Sequence, residues 1–202
     1  MSLKDIKLNF IVDVATDLFI TQGIEKVTIK DIAVKAGVGE ATIYRYFGKK
    51  QAIVVQSVLK LQNIVNTSYF NLGAGKTGFE KLSIFYNSYV EVFEKRPEFF
   101  FFLREFDLYM LGEDSSLLDE YEDVLGAYKN IYLESYKLGL EDGSIKKVED
   151  IELFYYATTH ALIEICKKLS TGLALLKQDK NIQKSDEIKC LIASFLNMVK
   201  NS

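Results

Sequence analysis

Residues 28–51, TIKDIAVKAGVGEATIYRYFGKKQ, place a single glycine between two short helical patterns, and that spacing restricts the chain more than any other stretch. Thr28 followed three residues later by Asp31 is a variant of the capping box, which satisfies backbone N–H groups at a helix start. Ile29, Ile32, Ala33 and Ala36 repeat at helical spacing and form one apolar face. Gly37 ends that helix, because a left-handed C-terminal turn costs glycine least. A second helix from about Gly39 to Phe47 begins one or two residues later. Two helices joined so closely form a helix-turn-helix, whose second helix fits a DNA major groove.

The second helix divides into two faces by spacing alone. Ile43 and Phe47 lie four apart on a stripe that must face a core. The opposite side, at about 100° per residue, centres on Ala41 and Arg45 with Thr42 and Tyr44 beside them. Arginine pairs bidentately with guanine, threonine bonds or touches a thymine methyl, and alanine permits close approach. Tyr44, Lys49 and Lys50 lie toward the helix end, placed for phosphate contacts that set register. From Lys26 to Lys50 there are six Lys or Arg against two acids, a local balance of +4 in a chain of net charge −3. Positive charge therefore gathers where a nucleic acid would lie. An ordinary helical corner with a solvated face has the same spacing, so geometry alone leaves both readings open.

Residues Ile11 to Ile53 resemble the N-terminal domain of the TetR family of transcriptional repressors. The resemblance rests on Ala15, Leu18-Phe19, Gly23, Thr28, Ile32-Ala33, Ala36-Gly37-Val38, Thr42-Ile43-Tyr44, Phe47 and Lys50. It implies an all-α protein with a three-helix DNA-binding domain in residues 1–50 and a ligand-sensing, dimerising helical bundle in residues 51–202. It also implies that Thr28 holds a phosphate at a helix start, that Tyr44 packs on the DNA backbone and that Lys50 caps the phosphate contacts. Base reading then falls to Lys30, Glu40, Ala41, Thr42 and Arg45, with Gly39, Tyr46 and Lys49 completing the surface. Three positions depart from the family pattern. Gly39 offers no side-chain cap to the recognition helix. Glu40 brings an acid near the groove, where it accepts from cytosine N4 or repels phosphate. Lys49 and Gln51 replace the common cap and acid at the next helix start, shifting that end toward phosphate attraction.

The rest of the chain reads as helices separated by short loops. Ile6, Phe10, Ile11, Val14, Leu18 and Phe19 trace one face of a first helix that stops at Gly23. Gln51 to about Asn71 is apolar at 53, 54, 58, 61 and 65 and would link the two domains. Thr77 and Glu80 make a capping box for a helix reaching Lys95, and Pro97 suits the first turn of the next, where its missing N–H is harmless. Further helices are expected from about Leu117 to Leu140, Glu149 to Lys177 and Ser185 to Lys200, nine in all. A hydrophobic share of 49% with one proline excludes disorder and a turn-rich β sandwich. There is no run of about 18 apolar residues and no signal-like start, so the expectation is a cytoplasmic protein without a membrane partner. Cys166 and Cys190 lack CxxC spacing and read as reduced.

Gly75-Lys76-Thr77 looks like the end of a phosphate-binding loop, but Phe70 stands where that motif needs glycine, and no strand precedes it. An enzyme is the competing class. It would need a nucleophile with its base, a metal cluster or a cofactor loop, and one histidine with two distant cysteines supplies none, so no cofactor or metal is expected. A helical adaptor would leave the basic cluster and Arg45 unexplained.

Two groups of residues fill the expected second domain. Ile188, Leu191, Ile192, Phe195, Met198 and Val199 form a narrow stripe on the last helix. With Ala161 and Ile165 of the preceding helix they are expected to pair with a second copy in a four-helix interface, because palindromic half-sites about 34 Å apart need two recognition helices. Core packing within one subunit is the alternative. The expected ligand pocket takes Tyr86, Tyr89, Phe93, Phe102 and Phe106. It also takes Tyr109, Tyr128, Tyr132, Tyr156 and His160; plain core packing is the alternative for the rings, and a core histidine with Glu164 as partner four residues on is the alternative for His160. Rings around a helical bundle suit a flat or lipophilic small molecule. The reading is thus a ligand-responsive dimeric repressor of a DNA operator. An activator of the same fold, or a helical small-molecule binder that no longer binds DNA, are its alternatives.

Overall fold

The computed structural model describes residues 2–171 and 182–201, so the expected helical stretch from 172 to 177 lies outside the described residues. Nine α-helices run through them: α1 Leu3–Gln22, α2 Ile29–Ala36, α3 Glu40–Phe47, α4 Lys50–Tyr69, α5 Gly78–Lys95, α6 Pro97–Met110, α7 Asp119–Glu141, α8 Ile151–Ser170 and α9 Lys184–Val199. The described residues hold no strand, only one isolated bridge between Ile145 and Lys200. None of their helices is long and apolar enough to cross a membrane.

The helix boundaries follow local chemistry. Ser2 with Asp5, Thr28 with Asp31 and Thr77 with Glu80 each form a reciprocal capping box at the starts of α1, α2 and α5. Such a cap stabilises a helix by about 1 kcal/mol. Thr77 therefore serves as a helix cap, and the loop before it is no phosphate cradle. Gly37 ends α2 in the left-handed region, at φ 64° and ψ 35°. Pro97 opens α6, as its missing N–H favours.

The chain forms two compact units, Met1–Asn63 with Phe101–Asp123 and Ile64–Phe100 with Val124–Ser202. In the first, α1 packs on α2 and α2 on α3. Its core holds Ile11, Ala15, Phe19, Ile24, Val27, Ile32, Ile43, Ile53, Val54 and Val58, all essentially without exposure. Ile6 and Phe10, expected on the buried face of α1, are instead 54% and 51% exposed. The reason is rotation: at about 100° per residue Ile6 and Phe10 lie on the far side of α1 from its buried residues Ile11, Val12, Ala15, Thr16 and Phe19. The buried face begins at Ile11.

In the second unit α5 packs against both α8 and α9, which also pack on each other. Phe85 stands at the centre of an aromatic cluster. The rings of Phe70, Tyr86, Tyr89, Tyr132 and Tyr155 lie 5.0–6.2 Å from it, most of them edge-on. Such pairs contribute about 0.5–1.5 kcal/mol each beyond burial. At the other end of the unit the segment after α7 joins the end of α9, with Lys146 N donating to Val199 O at 2.9 Å and Asn201 N to Ser144 O at 3.2 Å.

Candidate nucleic-acid interface and ligand-sensing residues

Helix α3 is fastened to its unit by Ile43, which is fully buried, while Phe47 is half-buried. Its other side is open. Glu40, Ala41, Tyr44 and Arg45 are exposed, Thr42 is half-buried, and Lys30 and Thr28 are exposed on α2 and its cap. Gly39 stands at the N-cap of α3 and makes no side-chain hydrogen bond. The first amide donors of α3 therefore keep no side-chain acceptor from their cap, an arrangement that favours an approaching anion.

Arg45 is oriented by its neighbour. Its guanidinium carbon lies 4.9 Å from the centroid of the half-buried Tyr46 ring, and Nη2 donates to the Tyr46 hydroxyl at 3.3 Å. Lys4 of α1 approaches the same ring at 5.9 Å, a basic contribution that the sequence reading missed because it comes from 42 residues away. Thr28 donates its hydroxyl proton to Asp31 Oδ2 at 2.6 Å and accepts from Asp31 N at 3.2 Å. The hydroxyl bond, with a second from Thr28 N to the same Oδ2 at 2.8 Å, holds the Asp31 carboxyl below its ordinary pKa.

The two lysines at the start of α4 differ. Lys50 is half-buried, over the Tyr109 ring at 4.8 Å and within 3.4 Å of the Glu25 carbonyl. Burial pulls its pKa down, against the opposing charges of Glu25 and Asp31. Lys49 is exposed and pairs with Glu113 at 3.4 Å. Gln51 donates to the same carboxylate at 3.0 Å. The acid absent from this helix start in sequence is therefore supplied by a loop more than 60 residues on.

The ten residues expected to line one pocket fall in three places. Phe102, Phe106 and Tyr109 belong to the first unit, where Phe102 packs on Phe19 at 6.5 Å and on Phe106 at 6.4 Å. Tyr156 and His160 are exposed on α8 with their rings 5.8 Å apart. The carboxylate of Glu164, the expected partner of His160, is held by Lys167 at 2.8 Å. Tyr86, Tyr89, Phe93, Tyr128 and Tyr132 remain together in the second unit.

Within that group the Tyr86 hydroxyl is 2.8 Å from that of Tyr132 and 2.9 Å from Thr158 Oγ1, all buried. Thr158 gives its proton to the Phe154 carbonyl at 2.8 Å. With one proton per hydroxyl, a single direction satisfies every contact: Tyr132 donates to Tyr86, Tyr86 to Thr158, and Thr158 to the backbone. A separate cleft of 290 Å³ lies beside α5 and α7, lined by Leu72, Gly73, Lys81, Ile131, Glu134, Ser135 and Leu138. None of the ten residues borders it.

The dimer stripe on α9 is also divided. Ile188, Ile192 and Val199 are buried within this chain and offer no surface to a second copy. Contact with α5 and α8 covers that side of the helix. Leu191 and Phe195 are half-buried, Phe195 against Tyr86 at 6.0 Å, and Met198 is 57% exposed. On α8, Ala161 is exposed and Ile165 half-buried.

Residues 11–56 match the family described as "Bacterial regulatory proteins, tetR family". No curated protein sequence matches the chain. Solved structures match it over nearly their whole lengths. A putative transcriptional regulator from Saccharomonospora viridis in complex with choline is 16% identical, with a TM-score of 0.76 over 96% of this chain and 98% of that one. The transcriptional regulator FadR from Bacillus subtilis in complex with stearoyl-CoA is 18% identical, with a TM-score of 0.71 over 94% and 97%. The fatty acid degradation regulator FadR from Bacillus halodurans is 21% identical, with a TM-score of 0.68 over 93% and 97%. At these identities the likeness is one of fold.

Proposed function

We propose that this chain, a member of the tetR family of transcriptional regulators through residues 11–56, is a dimeric repressor released from a palindromic operator by a small apolar or aromatic molecule. The observation that carries the DNA reading is the open face of α3, where Arg45, Tyr44 and Ala41 are exposed around a helix start without a side-chain cap. Residues 1–50 supply the reading head and residues 51–202 sensing and dimerisation. Arg45 reads a base edge, Thr42, Glu40 and Lys30 flank it, and Thr28, Tyr44, Lys49 and Lys50 set register on phosphate.

Dimerisation is supported by the outward side of α8, where Leu153 is 65% and Tyr156 44% exposed, with Ala157 and Ala161 beside them. Met198 of α9 is a further exposed apolar side chain. Ligand response is supported by the aromatic group around Phe85 and by the ligands of two structural neighbours, stearoyl-CoA and choline. Helices α4, α6 and α7 each begin in one compact unit and end in the other, so α4 is one of three covalent routes for a shift. A ligand acts only as far as it prefers the conformation that does not bind DNA, and a coupling of about 3 kcal/mol lowers operator affinity roughly 150-fold.

The test is selection of duplexes from a random library by the purified chain, followed by sequencing. An inverted repeat among the survivors supports the reading. Absence of enrichment at low salt, with and without small-molecule extract, overturns it.

A further inference from the structure

At the start of α4 one carboxylate holds two residues. Glu113 Oε2 faces Lys49 Nζ at 3.4 Å while Glu113 Oε1 accepts from Gln51 Nε2 at 3.0 Å. The acid is fixed on its own backbone. Gly112, at φ 82°, turns the chain after α6, and Glu113 N donates to Met110 O at 3.1 Å. Asp114 then caps a short 3-10 turn by accepting from Ser116 N at 3.0 Å. A second bridge follows one turn further along α4, where Gln56 Nε2 donates to Glu120 Oε2 at 3.3 Å. Lys49 and Glu113 are both partly open to solvent, with side chains 48% and 29% exposed. Asp114 also senses Lys49, whose charge adds to the Ser116 hydrogen bonds in lowering its carboxyl pKa.

We propose that Glu113 sets the DNA affinity of this head by competing with backbone phosphate for Lys49. The inference rests on the DNA-binding reading above. An exposed pair at this distance is weak, so phosphate displaces it. The carboxylate then stays behind, anchored through Gln51, and takes up a cation from solution. That uptake cancels one of the counterions that DNA releases when Lys49 reaches a phosphate. Glu113 therefore lowers both affinity and its salt dependence without touching a base.

The experiment measures binding of the purified full chain to its selected operator and to a random duplex across a salt series, by fluorescence anisotropy. In Glu113→Gln the amide still reaches Gln51 but the charge is gone. Binding to both duplexes strengthens, by up to roughly tenfold at about 0.1 M salt, and the log–log salt slope steepens by up to about 0.9 per protomer. The operator-to-random ratio stays the same. Glu113→Asp keeps the charge and the wild-type slope, and Lys49→Ala abolishes the gain from Glu113→Gln. An unchanged slope in Glu113→Gln, beside wild-type binding that is salt-dependent, overturns the inference and leaves the DNA reading standing. A gain that survives in the Lys49→Ala background overturns it as well. Absence of any salt-dependent binding by the wild-type chain overturns the DNA reading and this inference with it.

Discussion

Gly78 and Gly139 meet backbone against backbone. Gly78 is the first residue of α5, and its N–H donates to Asp142 Oδ2 at 2.8 Å. A methyl group added there would overlap the backbone of Gly139 and the Ser135 carbonyl on α7, and one added to Gly139 would overlap the Ile145 side chain. Since neither side of the contact is the end of a flexible chain, Gly78→Ala should push α5 off α7 and cost about 1–3 kcal/mol. Gly126, also in α7, has nothing within 4 Å of its virtual Cβ. Gly126→Ala should therefore gain about 0.5–1 kcal/mol from reduced chain entropy. Urea denaturation followed by far-ultraviolet circular dichroism reads both, and the two shifts should have opposite signs.

Arg45→Ala should cost about 1–3 kcal/mol per contact and relax base preference at one position in each half-site. Operator variants changed at single positions, titrated against both proteins, check this. Wild-type discrimination in Arg45→Ala would place Arg45 away from the groove.

Lys50→Ala should weaken operator and random DNA alike and reduce the salt slope by about one per half-site. It should also lower thermal stability slightly, because Lys50 spans the Tyr109 ring and the Glu25 carbonyl. Replacement of Lys49, whose partners Glu113 and Asp114 it meets at an exposed position, should leave the melting temperature nearly where it was.

Asp31 and Glu80 are held below their ordinary values of 3.8 and 4.5, chiefly by hydrogen bonds from Thr28 and Thr77. A carboxylate depressed in the folded state contributes stability above its unfolded pKa and loses it as pH falls through the folded value. The caps of α2 and α5 should therefore weaken below about pH 4. The denaturation midpoint should fall between neutral pH and pH 3, and Glu80→Gln, which removes the carboxylate that the Lys76 and Thr77 N–H groups hold, should flatten that fall.

Much of this architecture is legible in the sequence because helix ends are chemical events within four residues. Thr28, Gly37, Thr77 and Pro97 each name a boundary, and each boundary stands where its residue requires. The open face of α3 follows from Ile43 by rotation alone. Periodicity fails where it must say what covers an apolar stripe. Ile188, Ile192 and Val199 satisfy the spacing of a dimer seam and a core seam equally, and here α5 and α8 cover them. Ile6 and Phe10 are apolar on the side of α1 turned away from Ile11, Ala15 and Phe19, and spacing alone does not say which apolar side is covered. Phe102 and Phe106 share a helical run with Phe99 and Phe100 but lie in the other compact unit. Glu113 reaches Lys49 across 64 positions, and no local pattern announces such a pair.

Alkaline titration should separate the tyrosines. Burial raises the pKa of Tyr86, Tyr121 and Tyr132, and pushes Tyr155 up to about 12. Stability from these groups is full below their ordinary value of 10 and is lost as pH rises above it, since the unfolded chain ionises first. Near-ultraviolet phenolate absorbance should therefore rise in two stages, the second coinciding with unfolding. In the same way Cys190, exposed on α9, should react with a thiol reagent at once. Cys166, buried and pushed up to about 12, should wait for unfolding.

The one-way order of Tyr132, Tyr86 and Thr158 fixes what hydrogen bonding this closed part of the core has left to offer. Each hydroxyl in the series has already given away its proton, and the last goes to a backbone carbonyl that cannot return one. What the series still offers a newcomer is lone pairs. A carbonyl or carboxylate brought to the Tyr132 oxygen would meet another acceptor unless the whole relay reversed, which would take the Thr158 hydroxyl proton away from the Phe154 carbonyl. An ammonium, amide or hydroxyl proton is received without disturbing anything. The order thus sets the polarity of hydrogen bonding that this part of the core can still satisfy.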